Sequence, residues 1–96
     1  MAKLIWSFPA KADLDRHYYY LAAHEPSAAR KAIKAISKAA KRLASMPYLG
    51  AVLEEKSSLR KWPVSFGKYG YVIHYTVTNN AVVIDAVYHG REERSY

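Results

Sequence analysis

Residues 69 to 89 read "YGYVIHYTVTNNAVVIDAVYH", and no other stretch leaves the chain so little freedom. Tyr71, Ile73, Tyr75 and Val77 alternate with Val72, His74 and Thr76, the period of two that belongs to a half-buried strand. "TNNA" turns the chain, because asparagine tolerates positive φ. The second arm then alternates again, with Val82, Ile84, Ala86 and Tyr88 on one side and Val83, Asp85, Val87 and His89 on the other. A hairpin with one apolar side has to be covered by something. The coverings lie upstream.

"PAKADLDRHYYYLAAHE" puts Leu14, Tyr18, Leu21 and Ala22 on one side at helical spacing, with Pro9 in the first turn and Asp13 and Asp15 early, where carboxylates favour the helix dipole. "EPS" interrupts it. Pro26 then opens "PSAARKAIKAISKAAKRLASM", whose apolar stripe is Ala29, Ile33, Ile36, Ala40 and Leu43 and whose remaining surface carries Arg30, Lys31, Lys34, Lys38, Lys41 and Arg42. So short a link predicts an antiparallel helical hairpin. "AKLIWSF" reads as a strand ended by Pro9, "PYLG" as a turn, and "AVLEE" and "LRKWPVSF" as further strands. The expected fold is α+β: an N-terminal strand, the antiparallel helical hairpin, then a three- to four-stranded antiparallel sheet, in one domain over residues 1–96.

Helices on one face leave the other face partly open. Alternation gathers Pro63, Ser65, Val72, His74, Asp85 and His89 there, with Lys61 joining them if its strand has no bulge. Arg60 alternates instead with Trp62, Val64 and Phe66, so it serves either as a hydrogen-bonding group at the sheet end or as a functional contact. Tyr18, Tyr19 and Tyr20 point three ways from a helix, so at least one ring is exposed and suits a partner.

The net charge of +7 on 96 residues creates a positive field that attracts nucleic acid, acidic protein segments or anionic surfaces. The absence of cysteine excludes disulfides and thiolate metal sites. His17 and His24 sit two turns apart, about 10 Å, too far for one ion to bridge easily, so neither metal nor cofactor is expected. No run approaches the roughly 18 apolar residues of a membrane span, and the N-terminus reaches Pro9 before a signal-type apolar region forms. The expectation is a cytoplasmic protein with no membrane contact.

"AKADLDRHYYYLAAHEPSAARKAIKAISKAAKRLASMPYLG", "LRKWPVSFGKYGYVIHYTV" and "VVIDAVYHGRE", in this order and spacing, resemble the RelE/ParE superfamily of bacterial toxins from type II toxin–antitoxin modules. The resemblance covers nearly the whole chain and implies the same layout of a small antiparallel sheet under a helical hairpin. It also implies a cognate acidic antitoxin that wraps the basic surface, with operator DNA reached only through that antitoxin.

RelE-like members cut messenger RNA in the ribosome, which needs cations beside the scissile phosphate and a group to move a proton. ParE-like members, which include plasmid-stabilisation toxins, bind and inhibit DNA gyrase. Carried over by resemblance, the nuclease cation positions fall on Pro63, Ser65 and Val72, all uncharged, which favours a ParE-like gyrase binder without chemistry of its own. The expected target-binding set is Arg60, His74, His89, Arg91, Arg94 and Tyr96, with the tail lying along the rim beside His74. The expected antitoxin contacts are Tyr19, Arg30, Lys34, Lys38 and Lys41. Two alternatives stay open: a metal-independent endoribonuclease using His74, His89, Arg91 and Tyr96, and an inactive antitoxin-binding partner or co-repressor.

Overall fold

Ser7 decides where the N-terminal strand stops. Its hydroxyl accepts from the Ala10 N–H at 3.2 Å as a helix N-cap, with proline in the first turn. Strand β1 (Lys3–Trp6) therefore runs straight into helix α1 (Phe8–Ala22), followed by α2 (Pro26–Ser45), β2 (Ala51–Glu54), β3 (Leu59–Val64), β4 (Tyr71–Val77) and β5 (Ala81–His89). This computed structural model describes residues 2–92.

The sheet order is β1-β5-β4-β3-β2. Strands β2 to β5 form the expected antiparallel meander, and β1 joins as a fifth strand parallel to β5, opposing Leu4 to Val82 and Trp6 to Ile84. The two helices form the crossover that a parallel pair requires. They lie on one sheet face, where Ile36 and Leu43 meet Ile73, Tyr75, Val82, Ile84 and Val87 in a fully buried core. Each such aliphatic side chain contributes about 1.5–3 kcal/mol through burial.

Tyr75 carries its polar end through that core. Its hydroxyl donates to the Pro47 carbonyl and accepts from the Gly50 N–H, both at 2.8 Å, so the "PYLG" turn is docked on the sheet. Gly50 is required there, since an added Cβ would lie 2.5 Å from the Lys61 carbonyl oxygen. Pro63 sits on β3 past Lys61, the last β3 residue paired to β2, so its missing N–H costs no bond on that side.

Two expectations about which side chains face inward are corrected. The inner face of α1 is Ala10, Leu14, His17 and Leu21, with His17 only 5% exposed, whereas Tyr18 and Ala22 are half-buried. In β5 the alternation reverses partway. Tyr71 opposes His89 and His74 opposes Ala86, but Tyr75 opposes Ile84, leaving Asp85 as an extra residue. Such a bulge shifts the strand's parity by one. Val82 and Ile84 face the helices as expected, but beyond the bulge Val87 and His89 do so, and Ala86 and Tyr88 turn to the open face. Asp85 is fixed at both ends: its carbonyl accepts from the Ser7 hydroxyl at 3.1 Å, and its carboxylate accepts from the Thr76 hydroxyl at 2.6 Å.

Candidate functional site

Strand β1 is paired with β5 only as far as Ile84, so among the described residues the outer edge of β5 from Asp85 onward has no strand beside it. Unpaired backbone at that edge has to be satisfied otherwise. Helix α1 continues along it and supplies side chains instead of backbone. The Asp13 carboxylate accepts from the Val87 N–H at 2.9 Å, and one turn later His17 Nε2 meets the Val87 carbonyl at 2.7 Å. Because a carbonyl only accepts, Nε2 carries the proton. Past Val87 the Glu92 carboxylate reaches back to accept the His89 N–H at 2.7 Å.

Of these groups His17, His89 and Glu92 wall a cleft of about 510 Å³ between α1 and the β4–β5 end, lined also by Arg16, Tyr69, Tyr71 and Arg91. His17 meets the Tyr71 ring edge-on at 4.9 Å, and His89 meets it at 5.7 Å. Arg91 lies over Tyr69 at 5.1 Å, and its own N–H donates to His89 Nδ1 at 3.1 Å, so in that geometry the His89 proton resides on Nε2. Gly90 makes this closeness possible, because a Cβ there would collide with the Tyr69 carbonyl oxygen. Arg16 pairs with Glu92 at 2.7 Å.

Burial pushes the His17 pKa below the usual histidine value; the Val87 carbonyl and Glu92 oppose this without reversing it, and Arg16 adds to it. His17 is thus a neutral hydrogen-bond donor. Burial alone would raise Glu92, but the His89 N–H and the Arg16 guanidinium outweigh it and hold the carboxyl below the usual range. Tyr71 is pushed up by burial first and by Glu92 second.

The expected target-binding set is therefore not one surface. His89 and Arg91 lie in the cleft on the helix side, not at the rim beside His74, because the Asp85 bulge changes the face on which β5 ends. His74 stays on the open face beside Lys61, yet it is only 4% exposed, with its ring against the edge of Tyr88 at 4.8 Å. Arg60 lies at the far end of the sheet, where it donates to the Gly50 carbonyl at 2.7 Å and covers the Tyr48 ring at 5.0 Å. It holds the turn that Tyr75 also holds. Arg94 and Tyr96 lie outside the described residues.

The grouping proposed for an endoribonuclease is divided in the same way, since His74 and His89 occupy opposite faces of the sheet. The open face carries Pro63 opposite Val72, with the exposed Ser65 beyond them. Of the expected antitoxin contacts, Tyr19 is 69% exposed and Arg30, Lys34, Lys38 and Lys41 are all exposed. Sequence reasoning missed His17 and Asp13 as a pair. Their signal was present: two hydrogen-bonding side chains four apart on the same side of α1 as Leu14 and Leu21.

A helical hairpin over one face of a small, mostly antiparallel sheet, preceded by a strand that joins the sheet edge, is the architecture of a RelE/ParE-type toxin. Residues 4–94 match the family described as "ParE toxin of type II toxin-antitoxin system, parDE", and the chain belongs to that family. It is 39% identical over 85 residues to Toxin RelE3 of Caulobacter vibrioides, covering 88% of this chain and 90% of the relative. It is also similar to the solved structure titled "Chromosomal ParDE TA system from P. aeruginosa", with a TM-score of 0.72 and 25% identity over 93% of this chain and 96% of that one.

Proposed function

We propose that the protein arrests growth by binding DNA gyrase, without cutting RNA, and that a cognate acidic antitoxin neutralises it. One observation carries the first part: on the open face, where the resemblance places the nuclease cations, Pro63 and Val72 oppose each other and Ser65 follows, all uncharged. Stabilising a crowded phosphate requires fixed positive charge, which these three side chains lack. The antitoxin reading draws on the similarity to a ParDE system and on the exposed Tyr19 and Tyr20 rings, which give large contact area at small entropic cost.

The test is supercoiling by purified gyrase titrated with the toxin. Inhibition that added antitoxin relieves is expected, and unaffected supercoiling at a large excess of toxin defeats the reading. A second reading, ribosome-dependent endoribonuclease, draws on the cleft, where Tyr71, His89 and Arg91 are gathered. Transcript mapping after induction separates the two, since codon-phased cuts belong only to the nuclease.

A further inference from the structure

Helix α2 turns Ala29, Ala32, Ile36, Ala40 and Leu43 into the core. At about 100° per residue, its six cations Arg30, Lys31, Lys34, Lys38, Lys41 and Arg42 all fall within an arc of about 120° centred opposite that buried stripe. All six are exposed. From Arg30 to Arg42 the row runs about 18 Å along the helix axis. The sequence has no Asp or Glu between Glu25 and Glu54, and among the described residues none of the six takes part in an ion pair. The other residues of the arc are Ser27 at its start and Ser45 at its end.

We propose that this stripe binds the phosphate backbone of duplex DNA. Charge complementarity selects a polyanion, and the make-up of the arc selects which one. Protein interfaces are depleted in lysine and anchored by aromatic or aliphatic side chains, but this arc has four lysines and no apolar residue. Single-stranded nucleic acid is held by aromatic platforms on which its bases stack, and the arc has none. Lysine, arginine and serine along a straight row are the groups that contact duplex phosphates without reading sequence. The inference rests on the exposure and composition of α2 and not on gyrase as target, so either can fail without the other.

The experiment measures anisotropy of labelled duplexes of about 20 base pairs, in two unrelated sequences, with the full chain between about 50 and about 200 mM salt. Equal affinity for both sequences is expected, with a slope of log K against log salt of about −3 to −5. The variant Lys34→Glu/Lys38→Glu/Lys41→Glu loses at least about tenfold in affinity, and its slope flattens by about three. Single Lys34→Ala and Lys38→Ala variants, which leave the helix intact, each flatten it by about one.

No binding at the lowest salt, or unchanged affinity and slope in these variants, overturns the proposal. Tighter binding to a single strand of equal length, or displacement of the duplex by polyglutamate at lower charge concentration, also overturns it and assigns the stripe to that partner.

Discussion

The cleft beside α1 and the back of α2 both carry clustered polar groups, but they use them in opposite ways. In the cleft His17, Glu92 and Arg16, with Asp13 beside it, are committed to Val87, His89 and one another. On α2, among the described residues, no cation takes part in an ion pair. Polar groups that satisfy buried backbone maintain the fold, and removing one leaves its partner stranded. Exposed cations outside ion pairs contribute little to stability and are available to something outside the chain, with Arg42 also lying over the Trp62 ring at 6.0 Å.

The largest expected effect is His17→Ala. It removes a buried ring from the edge of Tyr71 and leaves the Val87 carbonyl without its donor, destabilising the protein by about 3 kcal/mol in urea unfolding. A loss under about 1 kcal/mol would show that the edge of β5 tolerates being bare. Asp13→Ala comes next, costing about 1–2 kcal/mol for an unsatisfied Val87 N–H, and Asp13→Asn recovers most of that because an amide oxygen still accepts. If alanine and asparagine behave alike, the carboxylate is not acting through this bond.

The pH dependence is a subtler effect and has a definite sign. His17 is lowered in the folded state, so as pH falls below the ordinary histidine value of about 6.5 the unfolded chain takes up the proton first. Its contribution is complete above that pH and is lost as pH falls toward the folded-state value. Urea midpoints measured from pH 7.5 down to pH 5 should decline, at values of about that range chosen to bracket the histidine titration. The decline should flatten in His17→Gln, whose amide still donates but does not titrate in this range. Smallest of all is Lys34→Glu/Lys38→Glu/Lys41→Glu, which should leave stability within about 0.5 kcal/mol of the parent by the same measurement. A larger loss would mean the stripe serves the fold after all.

Most of the architecture was legible in the sequence because burial imposes a period. The core face of β4, Arg60 standing with Trp62 and Val64, the helical hairpin and its breaker all follow from spacing. The second half of β5 did not, because "AVVIDAVYH" is apolar at both parities on either side of Asp85 and carries no glycine to mark a bulge. The bulge there is held by a distant partner, the Ser7 hydroxyl on the Asp85 carbonyl, across 78 positions of chain. The same blindness hid the cleft. Spacing alone offers Asp13 to the helix dipole and sets His17 too far from His24 for a metal, because an edge in need of partners becomes visible only where β1 ends at Trp6.

The extra residue at Asp85 also sets a rule for anyone re-engineering this chain. Swapping side chains along β5 can alter what is displayed but not which way the strand delivers it, because direction is counted in residues. Deleting Asp85 would close the ladder on β4 and leave Val87 and His89 on the helix side, whereas flattening the bulge with Asp85 kept in the ladder would bring His89 out beside His74 and pull Val87 out of the core. What the end of this strand displays is addressed by whether the ladder counts Asp85 or passes over it.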